Sequence, residues 1–167
     1  MFIMKIKKSI WLIPILACAI FLTYSFTKTK ESTTYKCMIQ MKNYNGEKAY
    51  VVISLLNPKG EYEKTLYVQG NDDEWYFDIT SWWDFQGKKR ASLDGITGAT
   101  IGGGERKISI ISIDNDKIDK GYKIRFETAV EDQEYYKNDV EFELTAAAIK
   151  GKIEGKGFIR YVRMLPQ

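Results

Sequence analysis

The first 30 residues differ in hydrophobic pattern from the rest of the chain. Three lysines among the first eight residues precede an uncharged stretch, Ser9 to Thr27, that is rich in Ile, Leu, Trp and Phe. A membrane-spanning helix needs about 20 mostly apolar residues, whereas the apolar region of a cleaved signal peptide usually has about 7–15. Residues 1–30 are therefore predicted to form an N-terminal transmembrane or signal helix, with an uncleaved signal anchor favoured over a cleaved signal peptide.

The end of this stretch supports the same interpretation. Tyr24 and Phe26 stand where a signal peptidase prefers small residues. Cys18 loosely resembles a lipoprotein acceptor, but the chain stays apolar through Phe26, which favours a cysteine packed in the membrane. Basic residues that precede such a helix remain inside. The remainder is therefore expected at the periplasmic face of the cytoplasmic membrane, or free in the periplasm if the signal is cleaved.

Beyond a polar stem at residues 31–36, short apolar runs and period-2 alternation predict β-strands. The nearly continuous run Ala49 to Leu56 predicts a central strand that is covered on both faces. The turn sequence Asn57 to Gly60 then leads to a hairpin partner. Alternation around Ile124 and Phe142 predicts two half-buried strands. Further strands are predicted at Cys37 to Met41, Leu66 to Val68, Lys107 to Ile113, Ala146 to Ile153 and Phe158 to Met164.

One segment interrupts this strand pattern. Six aromatic residues lie within eleven positions between Trp75 and Phe85, and several of them fall at helical spacing. A short helix is predicted there, followed by a glycine-rich loop from Gln86 to Gly104. Seven to eight short strands favour an all-β, immunoglobulin-like sandwich with this helical insertion, and a small barrel is the alternative. Residues 37–167 suit a single domain with one core.

Composition excludes several classes of function. The chain has no histidine, and Cys37 is the single cysteine outside the apolar N-terminal segment. The usual zinc ligand, the usual general base and an intradomain disulfide are therefore missing. The formal charge of +3 is small and is not concentrated in a basic motif, so nucleic acid is not an expected partner. Asp114, Asp116 and Asp119 lack the glycine and glutamate of a calcium loop, and a solvated hairpin is favoured there.

The most specific short string is Asp94-Gly95-Ile96-Thr97-Gly98-Ala99-Thr100. It resembles the motif D-x-x-[ST]-G-A-[ST], whose last hydroxyl residue receives FMN from extracytoplasmic flavin transferases. The resemblance implies that Thr100 is the attachment site, that Asp94 is the acidic residue of the motif, and that Gly98 and Ala99 let a transferase approach. The alternative is a tight turn in which Thr97 and Thr100 hydrogen-bond to nearby backbone.

A wider set of residues is similar to domain-of-unknown-function family 2271, which is described as predicted periplasmic proteins. The similarity covers most of Lys36 to Leu144, and its residues are Thr65-Leu66, Trp75, Asp78-Ile79, Trp82-Trp83, the threonine motif and Gly121-Tyr122. The family follows the motif with Arg-Pro and a glycine, whereas this chain has Ile101 to Gly104. The resemblance therefore does not supply a basic residue beside a flavin phosphate.

Two functional hypotheses follow. In the first, a membrane-tethered protein carries covalent FMN on Thr100 for electron transfer, with a flavin transferase and a membrane redox or transport protein as partners. An indole of Trp75, Trp82 or Trp83 would stack on the flavin ring. In the second, the protein is a non-catalytic binding or accessory module whose aromatic insertion docks a membrane reductase or transport component. Large aromatics at helical spacing also suit a core role. A carrier or accessory protein is favoured over an enzyme.

Overall fold

This computed structural model describes residues 31–89 and 92–167, which contain nine strands and four short helices joined by turns and loops. The strands are β1 (Ser32–Met41), β2 (Tyr50–Leu56), β3 (Tyr62–Gln69), β4 (Thr97–Gly98), β5 (Arg106–Asp114), β6 (Lys123–Ala129), β7 (Tyr136–Glu143), β8 (Lys152–Glu154) and β9 (Ile159–Pro166). The α-helices are α1 (Thr80–Lys89) and α2 (Ala146–Ile149), and two 3₁₀ helices span Asp73–Asp78 and Asn115–Lys117.

The strands form two sheets, which confirms the all-β prediction. Sheet 1 has the order β5-β1-β9-β8, and sheet 2 has the order β4-β3-β2-β6-β7. β2 pairs with β3 on one side and β6 on the other, and nearly all of its residues are buried, so the predicted central strand is confirmed. The count exceeds the predicted seven to eight because β4 has only two residues, too few to leave a periodic pattern.

The main core lies between the sheets. Inward side chains alternate along β1, where Tyr35, Cys37, Ile39 and Met41 are all buried. The stem predicted at residues 31–36 is wrong, since Ser32 already belongs to β1 and Tyr35 extends the inward alternation. The prediction of an N-terminal membrane helix concerns residues 1–30, which lie outside the described residues. Within the described ranges, no helix is long and apolar enough to cross a membrane.

The strand predicted over Ala146 to Ile153 is wrong in its first half. Thr145 caps α2 by accepting a hydrogen bond from Ala148 N at 3.1 Å, and the alanines that follow have the highest helix propensity. Only β8 remains as strand. The predicted hairpin near Asp114 contains the 3₁₀ turn Asn115–Lys117, and among residues 31–89 and 92–167 no group of side chains is arranged to hold a metal ion.

A second, smaller core covers the outer face of sheet 2. The 3₁₀ helix Asp73–Asp78 and α1 pack onto this face, which confirms the predicted helical insertion. Its buried members are Val52, Val68, Tyr76, Ile79, Trp82 and Ala129. Both faces of sheet 2 are therefore covered, one by sheet 1 and the other by the aromatic insertion.

A buried carboxylate links the two sheets. Asp139 of β7 is 0% exposed and accepts hydrogen bonds from Thr128 Oγ1 (2.7 Å), Gly157 N (2.7 Å) and Ile159 N (2.9 Å). Gly157 lies in the turn before β9, and the Cβ of any other residue there would lie 2.3 Å from the ring of Tyr136. The turn thus packs so closely on β7 that it brings two backbone N–H groups to one carboxylate.

Candidate functional site

Polar contacts at β3 hold the aromatic insertion in place. The indole nitrogen of Trp82 donates to Thr65 Oγ1 at 2.9 Å, and this hydroxyl donates to Gln86 Oε1 at 3.0 Å. The Tyr76 hydroxyl donates to Gly70 O at 2.7 Å. Trp82 is 0% exposed, and its ring centroid lies 5.3 Å from that of Tyr76. Because buried indole and hydroxyl groups need partners, these bonds determine which side of α1 faces the sheet.

The string Asp94 to Thr100, which we call the threonine motif, follows the insertion. Its residues Thr97 and Gly98 form β4, an edge strand of sheet 2. β4 runs parallel to β3, with Val68 N donating to Ile96 O at 2.8 Å and Gly70 N donating to Gly98 O. The Tyr67 hydroxyl donates to Thr97 O at 3.3 Å, and a Cβ at position 98 would lie 2.7 Å from that hydroxyl oxygen. Glycine at position 98 therefore lets β4 lie beside Tyr67.

Two residues of the motif form a short segment that is bonded at both ends. Gly98 is held by β3 on one side, and Ile101 on the other exchanges two hydrogen bonds with Ala49. The Tyr44 hydroxyl strengthens this second attachment, since it accepts from Ala49 N and donates to Ile101 O, each at 3.0 Å. Between these attachments Ala99 is exposed and Thr100 is half-buried. The structure thus presents Thr100 on a constrained segment.

Thr100 faces a cleft of about 270 Å³, which we call the Thr100 cleft. Its lining consists of Glu47, Lys48, Tyr50, Trp75, Asp78, Thr100, Ala129 and Glu131. One lysine against three carboxylates gives this lining a formal charge of −2. Burial raises the pKa of Tyr50 to about 12, and nearby acids, Asp72 first, add to the shift. Tyr50 therefore remains a neutral phenol near pH 7.

The other predicted site residues lie elsewhere. Asp94 and Thr97 line a neighbouring cleft of about 670 Å³ together with Trp83, Tyr76 and Asp73. The 3₁₀ helix Asp73–Asp78 separates the clefts, because Asp73 and Tyr76 line one, whereas Trp75 and Asp78 line the other. Trp82 lines neither cleft and is in the core. The structure therefore brings Thr100 next to Trp75, and not next to Trp82 or Trp83.

Sequence reasoning missed most of the Thr100 cleft. Glu47 and Lys48 lie in the loop before β2, and Glu131 follows β6, so chain folding alone brings them to Thr100. Trp75 and Asp78 carried a signal, since both belong to the residue set that resembles a known family. The structure places both of them in the lining of this cleft.

Sequence reasoning also missed a buried acid beneath the insertion. Glu127 of β6 is 0% exposed and accepts hydrogen bonds from the hydroxyls of Tyr62, at 2.7 Å, and Tyr135. Burial raises the pKa of Glu127, although both phenols act in the opposite direction. Neither cleft described above includes this residue in its lining, and its contacts join β6 to β3, across β2, and to the residue before β7. We assign it a structural role.

These features define a class of protein: a two-sheet β domain with an aromatic helical insertion that covers one sheet and a threonine-bearing segment beside it. A family model described as predicted periplasmic protein (DUF2271) matches residues 32–161. The chain belongs to this family, as its tryptophans and threonine motif predict, and the description supports a periplasmic location. No curated protein and no solved structure matches the chain.

Proposed function

We propose that this protein is an exported, membrane-tethered sandwich of the immunoglobulin-like kind that carries FMN covalently on Thr100 and transfers electrons on the periplasmic side. A flavin transferase and a membrane redox or transport protein are its partners in this proposal. The observation that carries it is the presentation of Thr100. The last residue of an acceptor-like string is accessible on a segment bonded at both ends, at a cleft that contains two aromatic side chains.

The attachment step is a phosphoryl transfer from a flavin dinucleotide donor. The Thr100 Oγ–P bond forms, the pyrophosphate P–O bond breaks, and a nucleoside monophosphate leaves. The hydroxyl proton passes to a base of the transferase, since this chain has no histidine to accept it. This chain contributes the accessible hydroxyl, and Ala99 and Gly98 leave space for the transferase.

The charge of the Thr100 cleft is consistent with covalent rather than reversible binding. Free FMN carries a phosphate monoester with up to two negative charges, and the cleft lining has a formal charge of −2. A phosphodiester to Thr100 carries one negative charge, which Lys48 can offset. Trp75 and Tyr50 suit the flat ring of a flavin. The residues present therefore fit an attached FMN and oppose a free one.

Intact-mass spectrometry tests the attachment. The full chain, expressed with an active flavin transferase, should gain the mass of one FMN less one water, and Thr100→Ala should lose this addition completely. Thr80→Ala is the matched control, because Thr80 is an exposed threonine at the start of α1 and lies outside the motif. It should retain the flavin. An unmodified wild-type mass beside an active transferase contradicts the proposal, as does a flavin that persists in Thr100→Ala.

A second candidate function, partner docking by the insertion, has its own supporting observation. Phe77 is 54% exposed and Trp83 is 37% exposed, and both lie on the insertion. Exposed aromatics of this kind often anchor protein interfaces. If this function is correct, Trp83→Ala and Phe77→Ala should each weaken capture of a membrane partner by the full chain, whereas Thr100→Ala should not. Undiminished capture by both aromatic variants contradicts docking at the insertion.

A further inference from the structure

The outer face of sheet 1 is open, and strand register determines which residues share it. Lys36 of β1 lies between Ile110 of β5 and Leu165 of β9. The next row is Ile108, Met38, Arg163 and Lys152, and the row after it is Arg106, Gln40, Tyr161 and Glu154. Residues directly opposite each other on paired strands project from the same side of a sheet. These three rows therefore form one surface, which we call the sheet 1 face.

The sheet 1 face exposes three aliphatic side chains, two on the edge strand β5 and one on β9. Ile108 is 58% exposed, Ile110 is 47% exposed and Leu165 is 52% exposed. These three residues are most of the large hydrophobic side chains that are exposed within the described ranges. Apolar side chains clustered on one face of a soluble domain mark a surface that binds something, because their exposure to water is unfavourable.

Basic residues lie between and beside these aliphatic side chains. Lys36, Arg106, Lys152 and Arg163 lie in these three rows, and Glu154 is their one carboxylate. Asp114 lies on the same side of β5, two rows beyond Ile110. The Arg106 guanidinium is held along the surface, since its Nε donates to Gln40 Oε1 at 2.9 Å. At the end of the face, a cleft of about 460 Å³ adds Lys42 and Arg160 and contains no acid. The face and its cleft thus carry six basic residues and one acid.

The positive charge of this face is opposite in sign to the net charge of the domain. Five of the 25 basic residues lie in residues 1–30 and none of the 22 acidic ones does, so residues 31–167 carry a formal net charge of −2. The sheet 1 face and its cleft nevertheless carry +5, from the six basic residues less Glu154. The acids gather elsewhere, for example at Asp72, Asp73 and Asp78 of the insertion. The domain is therefore electrostatically polarised.

We propose that the sheet 1 face binds the surface of an anionic phospholipid bilayer. The exposed aliphatic side chains suit the acyl boundary, and the lysines and arginines interspersed with them suit phosphate headgroups. The basic cleft offers room for a headgroup. A second copy of this chain is disfavoured as the occupant, because two such faces would bring like charges together. This proposal is independent of flavin attachment.

Binding in this way sets the orientation of the domain. The aromatic insertion covers the outer face of sheet 2, on the opposite side of the domain from the sheet 1 face. With the sheet 1 face on the bilayer, the acidic insertion points into the aqueous compartment. The anionic membrane surface repels its carboxylates and so favours the same orientation.

Site-directed spin labelling of the full chain tests this proposal, because it reports where the domain lies whether or not residues 1–30 insert. Ile108→Cys and Phe77→Cys are labelled in a Cys18→Ser background, since Cys37 is buried and does not react. Vesicles contain phosphatidylcholine with or without phosphatidylglycerol. The accessibility of the label at position 108 to a water-soluble nickel chelate should be severalfold lower with anionic vesicles than with neutral ones. High salt should restore this accessibility.

Phe77 is the matched control, because it is a comparably exposed apolar residue on the insertion. Its label should remain accessible in both kinds of vesicle. Combining Lys36→Glu with Arg163→Glu should abolish protection at position 108, and circular dichroism confirms that these surface variants fold. Equal accessibility at position 108 in both vesicles overturns the proposal. So does equal protection at positions 77 and 108, which would indicate contact without a preferred face.

Discussion

Asp139→Ala should lower the free energy of unfolding by about 3–5 kcal/mol. The substitution removes a buried acceptor and leaves the N–H groups of Gly157 and Ile159 and the Thr128 hydroxyl without it. An unsatisfied buried polar group costs about 1–3 kcal/mol. A domain of this size typically has a stability of about 5–15 kcal/mol, so a large fraction would be lost. Urea unfolding followed by far-UV circular dichroism measures the difference.

Two further variants separate hydrogen bonding from other effects. Asp139→Asn retains the shape but points an amide N–H group at one of the donors, and should cost about 1–3 kcal/mol. Glu143→Ala is the control, since Glu143 ends the same strand but is exposed, and should change stability by no more than about 0.5 kcal/mol. A loss below about 1 kcal/mol in Asp139→Ala would show that water or a rearranged turn satisfies these donors.

Trp82→Ala should cost about 3–5 kcal/mol, because it removes a fully buried indole and leaves a cavity beneath the insertion. The variant also removes the hydrogen bond to Thr65 that orients α1 on sheet 2. Loss of near-UV circular dichroism, which reports aromatic packing, should accompany the lower urea midpoint.

Neighbouring variants make this prediction specific. Trp82→Phe retains most of the packing and loses the indole donor, so it should cost only about 1–2 kcal/mol. Trp83→Ala alters the adjacent, partly exposed ring and should cost no more than about 1 kcal/mol. Similar losses in Trp82→Ala and Trp83→Ala would contradict the assignment of Trp82 to the core. This contrast also bears on ligand stacking, since a buried indole has no free face for a flavin.

Long periodic segments could be predicted from the sequence. β2 has seven residues and is apolar except for Ser54, whereas β6 and the second half of β7 follow period-2 alternation, because each strand buries one or both faces. Short or capped elements could not. β4 has two residues and exists only because β3 offers free backbone partners, and α2 depends on one threonine cap and three alanines. A pattern-based prediction needs more residues than either element contains.

The candidate site was predictable in part for the same reason. The motif that ends at Thr100 is a local string and is visible without any structure. Glu47, Lys48 and Glu131, which determine the charge beside Thr100, come from distant loops. Trp82 and Trp83 are adjacent and chemically identical, and the packing of α1 on sheet 2, with the hydrogen bond from Trp82 to Thr65, buries one and leaves the other partly exposed.

Local order along the chain was thus sufficient for the all-β class, the helical aromatic insertion, membership of the periplasmic family and the acceptor-like threonine string. Each of these rests on residues that are close in the sequence, and folding does not change their separation along the chain. The tertiary structure decided which residues meet across the chain: the carboxylates around Thr100, the donors that converge on Asp139, and the basic rows of sheet 1. Strand register and sheet packing determine those contacts, and both depend on long-range pairing that no local pattern contains.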